Sequence, residues 1–384
     1  MVTGQPSYTR SVPEAPAFEV RDGVHVHRVP LGWAKGRERM TTRVAGYLRF
    51  LWGAWRVARK LVESERPKCV MTFHNPPVVG LIGAHLAVRY KLRFIYAVYD
   101  IHPDVLLATG WKLPRPLIWV WEAVNRQVFR NADAVIVLGE GMRQTLVEGK
   151  GVPIDKIKVI PPWGRPELTP MPRDSSIRQE MGIGEQDLLL LYAGNMGIMH
   201  PLDPLVDAAA ALQGLPVRFL FVGNGVKRPH LVARVEKEGI GQVVFLPFQP
   251  EDRFVRLVAA ADACFVVLEP GMERLAVPSR AFTFLSAGKP LITLMAPEAE
   301  IARLLVEAEC GWNVTDGVAL ARLLRWLVQN PDELVRRALN ARRVYEERFR
   351  RENAIRAYAE LLEGNVTAGG WPPLKEGVGT GVLS

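Results

Sequence analysis

At 384 residues, 48% hydrophobic and 23% charged, the chain is long enough for two globular domains and too apolar to be disordered. Its net charge of +9 is lopsided: residues 1–165 hold 25 Lys/Arg against 13 Asp/Glu, and the remainder balances at −3, so the first half expects an acidic partner. Cys69, Cys264 and Cys310 lack metal-ligand spacing and read as core thiols in a reducing compartment. No run of about 18 uncharged apolar residues offers a spanning helix, and no secretory signal peptide is visible. No nucleic-acid-binding motif accompanies the basic charge, which favours an anionic membrane surface or a phosphorylated acceptor over nucleic acid.

The predicted elements alternate along the chain. Helical patterns at 40–63, 78–90, 115–131 and 140–149 separate short apolar runs at 69–73, 94–100, 134–139 and 157–162. That alternation implies an α/β fold with a parallel sheet covered by helices on both faces. Within the first helix, Tyr47, Leu51, Ala54, Ala58, Leu61 and Val62 share one broad face. Arg49, Arg56, Arg59 and Lys60 fall opposite, with Trp52 among them. A solvated charged face is the plain alternative, but an indole amid cations suits a bilayer interface. The Pro-rich segment 161–174 reads as an interdomain linker. Beyond it, strands are expected at 187–193, 217–222, 243–246, 263–268 and 290–294, a long helix over about 333–363, and a Gly/Pro-rich flexible tail over 364–384.

The chemistry-bearing turns follow the strands. LLLLYAGNMGIMH (188–200) and VRFLFVGNGVKRPH (217–230) each run from an apolar strand through a glycine turn into a helical pattern. Glycine lets the backbone approach an anion, and a helix N-terminus offers free N–H groups. Gly194, Asn195 and Gly197, then Gly223, Asn224 and Gly225, are therefore candidates to cradle a phosphorylated ligand, with a plain tight turn as the alternative. Lys227 can neutralise a phosphate oxygen or stay solvated. His200 can hydrogen-bond a phosphate. Pro278-Ser279-Arg280 adds a hydroxyl, backbone donors and a bidentate cation. In the first half, Asp100, His102 and Asp104 form the most polar cluster, at the carboxyl end of strand 94–100. Histidine is the natural proton carrier near neutral pH, so Asp100 and His102 are catalytic candidates. Asp104 is an acceptor-side candidate or a helix cap. His74 and Asn75, after strand 69–73, are acceptor-side candidates on the same rim. No Asp-x-Asp motif is present, so no metal is expected.

These motifs, in this order, resemble the GT-B glycosyltransferases of family 4, within which the chain is similar to the exopolysaccharide and O-antigen branch that transfers amino-sugars. The resemblance rests on VTGQPSYT (2–9), HNPP (74–77), YDIHPD (99–104), YAGNMG, FVGNG, FLPFQP and VPSR. It implies two Rossmann-like domains facing a cleft: 1–164 for the acceptor, 165–340 for a nucleotide-diphosphate sugar, and a helix at 341–363 returning to the first domain. It also implies that Phe248, in FLPFQP, flanks the nucleobase, that His200 can alternatively hydrogen-bond a sugar hydroxyl, and that the donor is a UDP-sugar with no further cofactor. Two departures stand out. The family's paired glutamates correspond to Leu275 and Thr283 here, which leaves Thr283 to meet the donor through its hydroxyl. A strand, a glycine-rich loop and a helix usually precede the VTG segment, so one strand and one helix of the first sheet are expected to be missing.

The resulting expectation is a retaining hexosyl- or N-acetylhexosaminyl-transferase acting on a lipid-linked or polysaccharide acceptor in cell-surface glycan synthesis. It is expected in the cytoplasm, peripheral on the inner face of the plasma membrane. A non-catalytic nucleotide-sugar-binding protein or inactive truncated paralogue is the alternative from another class. A sugar-nucleotide epimerase is a third.

Overall fold

The computed structural model describes residues 1–5, 15–29, 40–76 and 78–364. Pro77 of the HNPP segment, residues 6–9 of the VTGQPSYT segment and the tail from residue 365 lie outside the described residues.

The chain opens with β1 (Val2–Gly4), β2 (Phe18–Arg21) and β3 (Val24–Val29) in a small sheet of order β1-β3-β2. β1 runs parallel to β3, while β2 and β3 form an antiparallel hairpin. The sequence reading expected parallel strands only. The hairpin arises because Asp22 and Gly23 both take positive φ, +50° and +77°, the turn whose twist matches paired strands. An Asp-Gly pair between alternating residues was the available signal.

Next come α1 (Met40–Glu65), β4 (Cys69–Phe73), α2 (Gly80–Tyr90), β5 (Arg93–Val98), α3 (Asp104–Ala108), α4 (Arg115–Asn131), β6 (Ala134–Val137), α5 (Glu140–Lys150) and β7 (Ile157–Val159). Their strands form a sheet of order β4-β5-β6-β7, with β4 and β5 parallel. Every residue of β6 is buried, as is every residue of β5 after Arg93. A strand covered on both faces has no polar side, so it reads as a continuous apolar run.

The remaining elements are α6 (Ser175–Glu180), β8 (Leu188–Ala193), α7 (Asp203–Ala211), β9 (Val217–Val222), α8 (Arg228–Glu238), β10 (Val243–Leu246), α9 (Glu251–Ala260) and β11 (Ala263–Val267). They continue with α10 (Arg280–Ser286), β12 (Leu291–Leu294), α11 (Glu300–Ala308), β13 (Gly311–Val314), α12 (Gly317–Gln329), α13 (Pro331–Arg348) and α14 (Arg351–Glu363). A six-stranded sheet of order β10-β9-β8-β11-β12-β13 is parallel throughout. β13 was not expected, because GWNV is four residues long and carries a polar Asn. The single helix expected over 333–363 is two helices. The break falls at Phe349, whose buried ring packs edge-on against Phe282, with centroids 4.7 Å apart.

The chain forms two compact units. One comprises Met1–Tyr99, Leu113–Ile136 and Lys150–Ile157; the other comprises Asp100–Lys112, Val137–Gly149 and the chain from Lys158. In the first, Val29, Phe50, Ala54, Val62, Ile82 and Leu86 form a core between α1, α2 and the small sheet. In the second, β8 is wholly buried and its Leu190 and Tyr192 join Phe219, Phe221 and Phe265. Each such side chain contributes roughly 1.5–3 kcal/mol by leaving water, and together they hold the carboxyl ends of β8, β9 and β11 in register.

Candidate functional site

The order β10-β9-β8-β11-β12-β13 reverses direction between β8 and β11. Connections there leave in opposite directions, which opens a crevice at the carboxyl ends of these two strands, where open α/β sheets bind ligands. Both glycine turns and the Pro278-Ser279-Arg280 segment belong to this second unit.

The turn after β8 and the turn after β9 are zipped together. Gly194 N–H donates to the Val222 carbonyl (2.9 Å), Met196 N–H to Asn224 (2.8 Å) and Lys227 N–H to Met196 (3.0 Å). Gly223 and Gly225 have φ of +140° and +153°. A Cβ at Gly223 would strike the Gly194 carbonyl, and one at Gly225 the Met196 backbone. These glycines are thus required by the contact between the two turns itself. Gly194, with φ of +145°, leaves space filled by the Arg280 guanidinium, whose nearest atom stands 2.9 Å from where a Cβ would be. Gly197 does not share the positive φ; a Cβ there would meet the Asn195 amide at 2.7 Å. Asn195 and Asn224 are exposed, and the Asn224 side chain accepts from Gly225 N–H at 3.2 Å.

Arg280, the first residue of α10, reaches back over this loop. Its guanidinium carbon lies 4.9 Å from the centre of the Tyr192 ring, and its Nη2 lies 3.1 Å from Nε2 of His200. Tyr192 Oη donates to the Asn195 carbonyl at 2.7 Å and so ties the strand end to the loop. Lys227 Nζ donates to the His200 carbonyl at 2.8 Å, so it braces the loop. Burial, then the charges of Arg280 and Lys227, push the His200 imidazole down to about 3. His200 is therefore neutral at physiological pH. Its Nε2 faces a permanent donor and must act as an acceptor, which leaves the proton on Nδ1. That Nδ1 and Nη1 of Arg280 are buried with no hydrogen-bond partner among the described residues. A cation with an unused donor beside a loop of backbone amides has the chemistry to meet an anion.

Around this centre, Ser279 is exposed and Pro278 and Thr283 are half-buried. Thr283 sits within α10, where its carbonyl accepts from Ser286 Oγ at 2.7 Å. Phe248 is 57% exposed beyond β10, so it is not a core aromatic. Tyr192, which orients Arg280, was missed by the sequence reading; its signal was one polar tip near the end of an otherwise aliphatic strand.

Asp100 also lies in the second unit, in an antiparallel bridge with Ala276. Ile101 N–H follows, donating to the Leu275 carbonyl at 3.2 Å. A carboxylate oxygen of Asp100 and a ring nitrogen of His102 lie within 4.8 Å of one another. Asp104 is the first residue of α3. In the first unit, His74 is nearly buried, and its Nδ1 accepts the Tyr99 N–H at 3.2 Å, while Asn75 is exposed. On α1, Ala54 and Val62 are buried as the helical pattern requires, together with Phe50. Arg49, Arg56, Arg59 and Lys60 are exposed. Trp52 is 61% exposed, with the Arg56 guanidinium 4.5 Å from its ring centre. Among the described residues no helix is long and apolar enough to cross a membrane.

Comparison with known proteins agrees with this architecture. Residues 1–163 match the family model of the glycosyl transferase 4-like domain, and residues 174–344 match that of the glycosyl transferases group 1. A Pseudomonas aeruginosa protein named "Probable glycosyltransferase WbjE" is 27% identical over 280 residues, covering 68% of this chain. The match spans 66% of that relative, just under two thirds of its length. Among solved structures, sucrose-phosphate synthase from Thermosynechococcus elongatus superposes with a TM-score of 0.72 at 16% identity, covering 92% of this chain and 86% of that one. Anabaena HepE in complex with UDP-glucose gives a TM-score of 0.68 at 18% identity, covering 89% and 86%. With both halves of the chain matched and the fold shared, the protein belongs to the glycosyltransferases of the 4-like and group 1 families and has the GT-B fold.

Proposed function

We propose that this chain transfers a hexose or N-acetylhexosamine from a nucleotide-diphosphate sugar, a UDP-sugar by preference, to a lipid-linked or polysaccharide acceptor in bacterial cell-surface glycan synthesis. The observation that carries the reading is Arg280, stacked on Tyr192 and steadied by a neutral His200, with an unused donor at the interlocked glycine turns. The HepE complex with UDP-glucose, a protein of the same fold, supports a nucleotide-sugar as the ligand. In the reaction, the bond between the anomeric carbon and the diphosphate oxygen breaks while the acceptor oxygen attacks from the same face. The departing phosphate takes the acceptor proton, so the configuration is retained and no side-chain nucleophile is required. The protein's part is to position the reactants and stabilise the leaving diphosphate. Gly194, Asn195, Gly197, Gly223, Asn224, Gly225, Lys227, Ser279 and Arg280 serve the diphosphate, and Phe248 the base. Asp100 and His102 serve the reacting end, and His74, Asn75 and Asp104 the acceptor. Titration of the protein with UDP and other nucleoside diphosphates tests the reading. Tight binding, weakened at least about tenfold by Arg280→Ala, is expected; absence of binding to every nucleotide defeats it. Activity is expected to survive EDTA, and its loss on chelation would require a metal in the reaction.

A second reading, a nucleotide-sugar-binding protein without turnover, is favoured by Leu275 and Thr283 standing where the paired glutamates of the family are expected. Binding of the donor with neither transfer nor hydrolysis would select it.

The acceptor reading carries a location. Exposed Trp52 amid Arg49, Arg56, Arg59 and Lys60 on α1 suits the anionic inner face of the plasma membrane, with the indole at headgroup depth and the cations on lipid phosphates.

A further inference from the structure

The switch-point crevice has a second wall that no motif marked. Glu269 lies two residues beyond β11, at the carboxyl end of the strand facing β8 across the reversal. Its backbone N–H donates to the Met199 carbonyl at 3.1 Å, so it is tied to the loop that ends in His200. Its own carbonyl accepts from Met272 N–H at 3.1 Å, closing a tight turn. The backbone is thus held at both sides. One oxygen of the carboxylate is not: Oε2 is buried with no hydrogen-bond partner among the described residues. A buried carboxylate oxygen left unpaired is costly, and such groups in native proteins call for an explanation.

An ionised carboxylate only accepts hydrogen bonds, so its missing partner is a donor. It would repel a phosphate, and the crevice already holds a cation for that group in Arg280. The parts of a nucleotide-sugar that can donate beside its diphosphate are hydroxyls. We infer that Glu269 binds a hydroxyl of the donor, on the ribose or on the transferred sugar, and so helps set which nucleotide-sugar the site accepts. This deepens the nucleotide-sugar reading above and rests on it.

The test uses the full chain and its Glu269→Gln and Glu269→Ala variants. Calorimetry first identifies which nucleoside diphosphate the native protein binds, from UDP, GDP, ADP and dTDP. The variants are then titrated with that diphosphate and with its glucose and N-acetylglucosamine esters. Loss of affinity by roughly 10- to 100-fold for the diphosphate and its esters alike assigns Glu269 to the ribose. A loss confined to the sugar esters assigns it to the transferred sugar. Both outcomes support the inference, provided the variants keep the native melting temperature or, if Glu269→Ala does not, the isosteric Glu269→Gln does. Unchanged affinity for every ligand by Glu269→Gln overturns it while leaving the nucleotide-sugar reading standing. Failure of the native chain to bind any of the nucleotides overturns both.

Discussion

His200 shows how one residue's environment sets its chemistry. Largely shielded from water, with Arg280 at its Nε2 and the Lys227 charge nearby, the ring has nowhere to place a positive charge, and its proton affinity falls to about 3. Proton exchange near neutral pH is therefore closed to it, and its Nε2 is left to accept from the Arg280 guanidinium. The imidazole resonances of His200 are expected to stay unmoved in an NMR titration from pH 8 to pH 5. A midpoint near 6.5 would show that the ring is neither shielded from water nor held against Arg280. The stability linkage has a definite sign. The folded chain binds this proton more weakly than the unfolded one, so the contribution is complete above about pH 6.5 and is lost as pH falls toward 3. Arg280 is equally specific in geometry. Arg280→Lys keeps the charge but loses the planar stack on Tyr192 and the fork for a phosphate. It should weaken nucleotide binding about as much as loss of a charged hydrogen bond, on the order of tenfold, while leaving thermal stability near native.

Among the elements, the two glycine turns behave as one unit, so close that a side chain at Gly223 would strike the Gly194 carbonyl and one at Gly225 the Met196 backbone. Gly223→Ala combines a collision with a backbone conformation that side chains avoid. A loss of at least about 2 kcal/mol of stability is expected in denaturant titration, with nucleotide binding abolished. A second contact of this kind joins α11 to α5. Glu300, at the start of α11, is buried, and its Oε1 accepts from the N–H groups of Glu140 and Gly141, the first turn of α5. Gly139 has no room for a methyl because Glu300 occupies the space. Burial is the main cause lifting this carboxyl to about 7; the two N–H groups and Arg303 oppose it, and Glu140 adds a smaller repulsion. Oε2, which lacks a partner among the described residues, is the natural seat for the proton. The folded chain here binds the proton more tightly than the unfolded one, so this stabilisation is present at acid pH and is lost as pH rises from about 4.5 to about 7. Between pH 5 and pH 8 the native chain should lose about 2–3 kcal/mol relative to Glu300→Gln in urea denaturation. An equal dependence in both proteins would contradict the assignment.

On the scale of the whole molecule, charge is the main guide. Residues 1–165 carry the whole of the excess of cations, and α1 displays four of them beside an exposed indole. Sedimentation with phosphatidylglycerol liposomes at low salt should retain the native chain and release it as salt screens the charges. Trp52→Ala together with Arg56→Glu should weaken retention about tenfold or more, since each basic residue near an anionic surface contributes on the order of 1 kcal/mol. Retention equal to that on neutral vesicles would remove the membrane from the reading.

Legibility differed between parts of the chain for a physical reason. Helices and buried parallel strands repeat a local rule, a period of 3.6 or an unbroken apolar run. The boundaries of α4 and β9 and those of β4, for instance, could be read directly. The glycine turns were equally visible, because positive φ at Gly223 and Gly225 restricts the residue type. The split of the last helical stretch at Phe349 was not, since it depends on a ring finding Phe282 some 67 residues away in sequence. The same holds for the site. By itself the sequence determined the family, the alternation of strands and helices and the place of the two glycine turns, all of which rest on residue type and spacing. Only the tertiary structure decided that Arg280 stacks on Tyr192, that His200 is neutral, and that Glu269 Oε2 is buried without a partner among the described residues. Those properties depend on burial and on neighbours in space, which a linear pattern does not encode.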